Sequence, residues 1–175
     1  MSSLNVKGLA RVALVAGLSL GLSACFRPLY GPTASGQSLQ TVLASIDVPE
    51  IKWVEPQTRI GHYLRSDLVY ALNGSGSDVP KRYVLNLSLA QSLSTPVVDS
   101  VSGRALSATL TGNLTYTLKE GSTVVTTGVA TESTSYDRFE QRFATVRAAR
   151  DAEIRLARAL SEQVKTRLQA ELSRK

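Results

Sequence analysis

Two periods of apolar residues divide the chain into elements. In Tyr83 to Leu93 the odd positions Tyr83, Leu85, Leu87, Leu89 and Leu93 are apolar, broken only at Gln91. In Ala105 to Leu118 the even positions Leu106, Ala108, Leu110, Leu114, Tyr116 and Leu118 are apolar, and Ser107, Thr109, Thr111, Asn113, Thr115 and Thr117 alternate with them. Successive side chains of a strand point to opposite faces, so this pattern predicts a sheet with one buried face and one hydroxyl-rich face. Lys119-Glu120-Gly121-Ser122 reads as a hairpin turn, followed by a weaker strand over Thr123 to Ser133 with Val125 and Val129 inward. Earlier in the chain, Val42, Ala44, Ile46 and Val48 alternate with mostly polar neighbours and predict a first strand that Pro49 limits. Ser94 to Arg104, with Pro96 and Gly103, is a longer loop.

Elsewhere the spacing is helical. Ile60, Leu64, Leu68 and Leu72 form one stripe within Pro56 to Leu72, with Pro56 suited to a first turn and Gly74 to an end. From Phe139 to Leu172 the apolar residues Phe139, Phe143, Val146, Ala157, Leu160, Val164, Leu168 and Leu172 recur at three- or four-residue steps, apart from a skip near Ile154. Glu153, Arg155, Arg158, Glu162, Lys165, Arg167 and Glu171 supply a mixed-charge face to this long helix. Two helices on the apolar face of a four-stranded, mainly antiparallel sheet make a two-layer α+β sandwich.

The beginning of the chain follows different rules. Lys7 and Arg11 precede an apolar run from Val12 to Leu22, which ends at Leu22-Ser23-Ala24-Cys25. Eleven residues fall short of the roughly 20 that cross a bilayer as a helix, so the run reads as a secretory signal that is removed. Cys25 is the single cysteine of the 175 residues, which leaves it no partner for a disulfide within the chain. Its setting resembles the lipobox of bacterial lipoproteins, whose cysteine is acylated and becomes the first residue of the mature protein. Three acyl chains anchor far more firmly than one, because each buried methylene contributes about 0.8 kcal/mol. By resemblance to lipoprotein sorting, Phe26 in place of Asp directs the product to the outer membrane. The expected organisation is a signal over residues 1–24, a lipidated tether over 25–40 and one domain over 41–175. Loss of residues 1–24 leaves 18 basic and 14 acidic residues, a charge of +4. That mild excess suits a phosphorylated lipid or an acidic partner surface rather than nucleic acid.

Little in the sequence points to catalysis. His62 is the only histidine and Cys25 the only cysteine, so neither a zinc site nor a nucleophile-base pair stands out. Gly74-Ser75-Gly76-Ser77 lacks the lysine of a phosphate-binding loop and follows a helix rather than a strand. Trp53 and Tyr30 read as core or interface aromatics. No cofactor or metal is expected.

The segment Cys25-Phe26-Arg27-Pro28-Leu29-Tyr30-Gly31, together with the order of strand, helix, three strands and long helix, resembles the lipopolysaccharide-assembly lipoprotein family LptE in its alphaproteobacterial form. The family's usual start has a Gly between the cysteine and the Phe-Arg-Pro-Leu-Tyr-Gly run, which is missing here. The resemblance implies a non-enzymatic outer-membrane lipoprotein, anchored through Cys25, that plugs the LptD barrel and contacts lipopolysaccharide. It also implies basic contact residues at the hairpin between the second and third strands and near the start of the long helix. By order along the chain these are Arg104, Arg142 and Arg147, with Lys119 as a further candidate. The competing expectation is an outer-membrane lipoprotein that serves as accessory or scaffold of an envelope complex without touching glycolipid.

Overall fold

The structure, a computed structural model, describes residues 36–53, 58–74, 76 and 78–174. The signal, Cys25 and most of the tether lie outside the described residues. The elements in chain order are α1 (Leu39–Ala44), β1 (Ile46–Asp47), β2 (Lys52–Trp53), α2 (Thr58–Asn73), β3 (Tyr83–Ser94), β4 (Ser107–Glu120), β5 (Thr123–Asp137) and α3 (Arg142–Leu172). β3, β4 and β5 form an antiparallel meander. On the other side of β3 the short strands β1 and β2 pair with it in turn, both parallel, and together take the fourth position of the sheet. The fold is α+β, with the helices packed on one sheet face.

The alternation read from the sequence fixes the register of the central pair. Leu85 stands opposite Leu118, Leu87 opposite Tyr116 and Leu89 opposite Leu114, so the apolar faces of β3 and β4 coincide. Ile60, Leu64, Leu68 and Leu72 of α2 and Leu156, Leu160, Val164 and Leu168 of α3 close over this face in one cluster. Each such leucine contributes roughly 1.5–3 kcal/mol by leaving water. Gly112 lets α3 approach closely: a Cβ there would lie 3.0 Å from Leu160 Cδ1 and 3.3 Å from Leu156 Cδ2. On the opposite face the hydroxyls pair across the strands, Thr109 with Ser135 and Thr111 with Ser133, both at 2.9 Å.

Four expectations need correction. Residues 39–44 are helical, not part of a strand, because the Ser38 hydroxyl caps the Thr41 N–H at 3.1 Å and Leu39 and Leu43 bury together one turn apart. The first strand is therefore confined to Ile46–Asp47, and a third, short helix joins the two expected ones. Val129 faces outward and is 53% exposed. The register shifts between Leu118 and Lys119, leaving Val125 as an extra residue on β5, and a one-residue slip turns every later side chain over. Ala130 takes the buried place instead. Leu93 and Leu106 continue the inward positions but stay exposed, although Leu110 opposite Leu93 and Ala108 two residues after Leu106 are buried. Finally, α3 begins at Arg142, leaving Phe139 in the preceding turn, and its buried residues begin only at Ala152.

The bulge also brings Gly128 opposite Tyr116, where a Cβ would lie 2.5 Å from Tyr116 Oη and 2.7 Å from Cζ. Gly128→Ala must push a buried ring aside and is expected to lower stability by about 1–3 kcal/mol in urea unfolding. Combining it with Tyr116→Leu, which removes the clashing ring, should lessen the added loss. Additive losses would show that the ring is not the obstacle.

Candidate binding cleft

The strands β3 and β5 end on the same side of the domain, and the connections that follow them build its tip. After β3 the chain makes an outward hairpin: the Leu106 N–H donates to Val97 O at 2.9 Å, Val98 bridges Ala105, and the Asp99 N–H donates to Arg104 O at 2.8 Å. The expected long loop is thus closed on itself. Its turn is held by the Asp99 carboxylate, which accepts from the Ser102 N–H at 2.6 Å, the Ser102 hydroxyl at 2.8 Å and the Val101 N–H at 3.0 Å. These donors, the Ser102 N–H foremost, hold the Asp99 carboxyl below its ordinary pKa. A depressed carboxyl favours the ordered turn above the unfolded value and loses that contribution only as pH falls through the folded one, so the turn keeps its shape at neutral pH.

Arg138 to Gln141 make a second turn beside the first. The Arg138 N–H donates to Leu106 O at 2.8 Å, while the Thr145 hydroxyl accepts from the Phe139 N–H at 2.9 Å and donates to Phe139 O at 3.0 Å. Between the two turns lies a cleft of about 390 Å³ lined by Arg104, Ala105, Arg138, Phe139, Glu140, Arg142 and Thr145. Arg104 Nη1 donates to Glu140 Oε1 at 2.7 Å. Arg138 and Arg142 have no acidic partner within 4.0 Å among the described residues.

The helix start sharpens the electrostatics. Arg142 is the first residue of α3, there is no acidic residue in the first turn, and Gln141 makes no side-chain cap. A cation at a helix N-terminus opposes the macrodipole and costs about 0.3–1 kcal/mol, so local stability does not explain Arg142. The same end attracts anions, through free amides as well as guanidinium groups.

The two turns and the start of α3 also leave apolar side chains in solvent. Phe143 is 73% and Val101 95% exposed, with Val97, Val98, Leu106, Phe139 and Val146 nearby along these elements. Arg147 lies over the Phe143 ring, its guanidinium carbon 5.9 Å from the centroid. Several large apolar side chains left in water on neighbouring elements are what an interaction site exposes.

Of the residues singled out from the sequence, Arg104 and Arg142 share the cleft, and Arg147 stands just beyond it on α3. Lys119 does not join them: it lies near the opposite end of β4, paired with Val84 and Val124, about 40 Å along the strand from its start. Sequence reasoning missed Arg138. The signal was present in Arg138-Phe139 and Arg142-Phe143, two cation-aromatic pairs one helical turn apart. Among the described residues no group of carboxylate, histidine or cysteine side chains is arranged to hold a metal, and no helix is long and apolar enough to cross a membrane.

The sequence profile of the lipopolysaccharide-assembly family LptE matches residues 43–168, nearly all of the described domain. The chain belongs to the LptE family. A search of curated proteins finds no match to it. Among solved structures, the LptE-family domain is similar to a putative lipoprotein from Caulobacter crescentus CB15, at 24% identity over 78% of this chain and 97% of that one, with a TM-score of 0.61. It is similar also to a minor lipoprotein from Acinetobacter baumannii, at 14% identity over 71% of this chain and 88% of the other, with a TM-score of 0.50. At these identities the likeness extends to the fold.

Proposed function

We propose that this LptE-family protein is an outer-membrane lipoprotein, acylated at Cys25 after loss of residues 1–24, that sits as a plug in the LptD barrel. In this reading it contacts lipopolysaccharide through its tip on the way to the cell surface. The observation that carries the glycolipid contact is the cleft, where Arg104, Arg138 and Arg142 converge beside exposed Phe139. An anionic amphiphile offers phosphates to the guanidinium groups and acyl chains to the phenyl rings. The role is one of binding and assembly, without a catalytic step. The hydroxyl-rich outer sheet face suits the polar interior of a barrel.

Affinity purification from detergent-solubilised outer membrane is expected to bring down LptD in stoichiometric amount. Its absence from a preparation that retains the tagged protein would sink the plug reading. The anchor has its own check: intact-mass analysis is expected to find a chain that begins at an acylated Cys25, and an unmodified chain beginning elsewhere would overturn it.

A further inference from the structure

The cleft at the tip carries its own anion. Three of the residues that line it are arginines and one, Glu140, is acidic. Arg104 Nη1 donates to Glu140 Oε1 at 2.7 Å, a short charge-assisted bond. The Glu140 side chain is 87% exposed, and among the described residues its carboxylate makes no other hydrogen bond.

Neither turn depends on this bond. The first is closed by the Asp99 carboxylate and by the Asp99 N–H on Arg104 O, the second by the Arg138 N–H on Leu106 O and by the Thr145 hydroxyl on Phe139. An exposed ion pair adds little to a fold, because both partners are well hydrated when apart and give up side-chain freedom when together. The pair therefore opens at small cost: Glu140 returns to water, and Arg104 stays where the hairpin holds it. Its effect falls on the cleft, where a carboxylate occupies one of three neighbouring guanidinium groups.

We propose that Glu140 is a built-in competitor for the anionic head of the glycolipid: resting on the lipopolysaccharide reading given above, an incoming phosphate displaces the Glu140 carboxylate from Arg104. The exchange favours the phosphate. Glu140 holds Arg104 through one nitrogen, whereas a phosphate accepts from two N–H groups of the guanidinium fork and has oxygens left for a second arginine. Arg138 and Arg142, which have no acidic partner among the described residues, supply the charge that draws it in. Arg104 thus passes from one anion to another, and the cleft binds less tightly than three unoccupied arginines would.

The test is calorimetric titration of bis-phosphorylated lipid A into the full chain in detergent. Glu140→Gln keeps the shape of the side chain and removes its charge, and it is expected to tighten binding about threefold to fivefold, the strength of an exposed ion pair. In an Arg104→Gln background the same change should shift affinity by less than about 1.5-fold, because the competitor then has nothing to release. Lipid A stripped of its phosphates should show no gain. A gain that survives in the Arg104→Gln background is a general effect of charge and overturns the proposal, as does a gain with the dephosphorylated lipid. Equal affinity of Glu140→Gln and wild type overturns it too. In that event a loss of binding in Arg138→Glu with Arg142→Glu leaves the cleft reading in place, and no loss there removes both.

Discussion

Leu114→Asp is expected to abolish folding, while Thr115→Asp one residue away leaves the domain folded with a melting temperature close to that of the wild type. Leu114 is fully buried, opposite Leu89 on β3 and Ala130 on β5, beneath the helices. The substitution removes a leucine worth about 2–5 kcal/mol and asks an ionisable group to enter the core, at a further cost of several kcal/mol. The sum is comparable with the 5–15 kcal/mol that typically holds a domain together. Thr115 lies on the outer face, exposed and opposite Val129, where a carboxylate stays hydrated. Thermal melts followed by circular dichroism decide it: equal damage from the two changes would mean that the helices do not cover the face assigned to them.

Arg138→Glu combined with Arg142→Glu is expected to weaken lipopolysaccharide binding about a hundredfold. A charge-assisted hydrogen bond contributes about 1.5–3 kcal/mol, so loss of two amounts to at least about 3 kcal/mol, and each 1.4 kcal/mol is a factor of ten. The fold should tolerate the change. Glu at the first position of α3 complements the helix dipole that Arg142 opposes, and the structural bond of Arg138 runs from its main-chain N–H to Leu106 O. Arg104→Glu alone should cost less, because Glu140 already engages its guanidinium. Lys119→Glu, at the far end of the sheet, serves as the charge control and should change affinity by less than about twofold, since surface charges that distant are screened. A folded double variant with unchanged affinity would remove the cleft from the reading and leave the plug role standing.

The elements of this protein were legible in its sequence wherever a single face decides the outcome. Alternation in Tyr83 to Leu93 and Ala105 to Leu118, and the four-residue step from Ile60 to Leu72, each require one side to leave water, which determines strand or helix before any neighbour is known. Element order put Arg104 at the end of a longer loop and Arg142 and Arg147 near the start of the long helix, while their choice as contact residues came from the family resemblance. What tertiary structure decided concerns the limits of those faces. A one-residue bulge at Val125 turned Val129 outward, and nothing in a strand's own alternation reports how its neighbour is in register. Leu39 and Leu43 became helical because a cap and a pair of buried contacts outweighed a weak alternation. Phe143 and Val146 continue the helical stripe, yet their exposure depends on where the sheet beneath α3 stops. The cleft itself joins Arg104 to Arg138 and Arg142 from connections 34 or more residues apart, and Gln163 of α3 reaches the Thr131 carbonyl of β5 across 32 residues. Periodicity is a local property that burial imposes on one element at a time; coincidence of distant side chains is set by how the layers overlap, which only the folded chain contains.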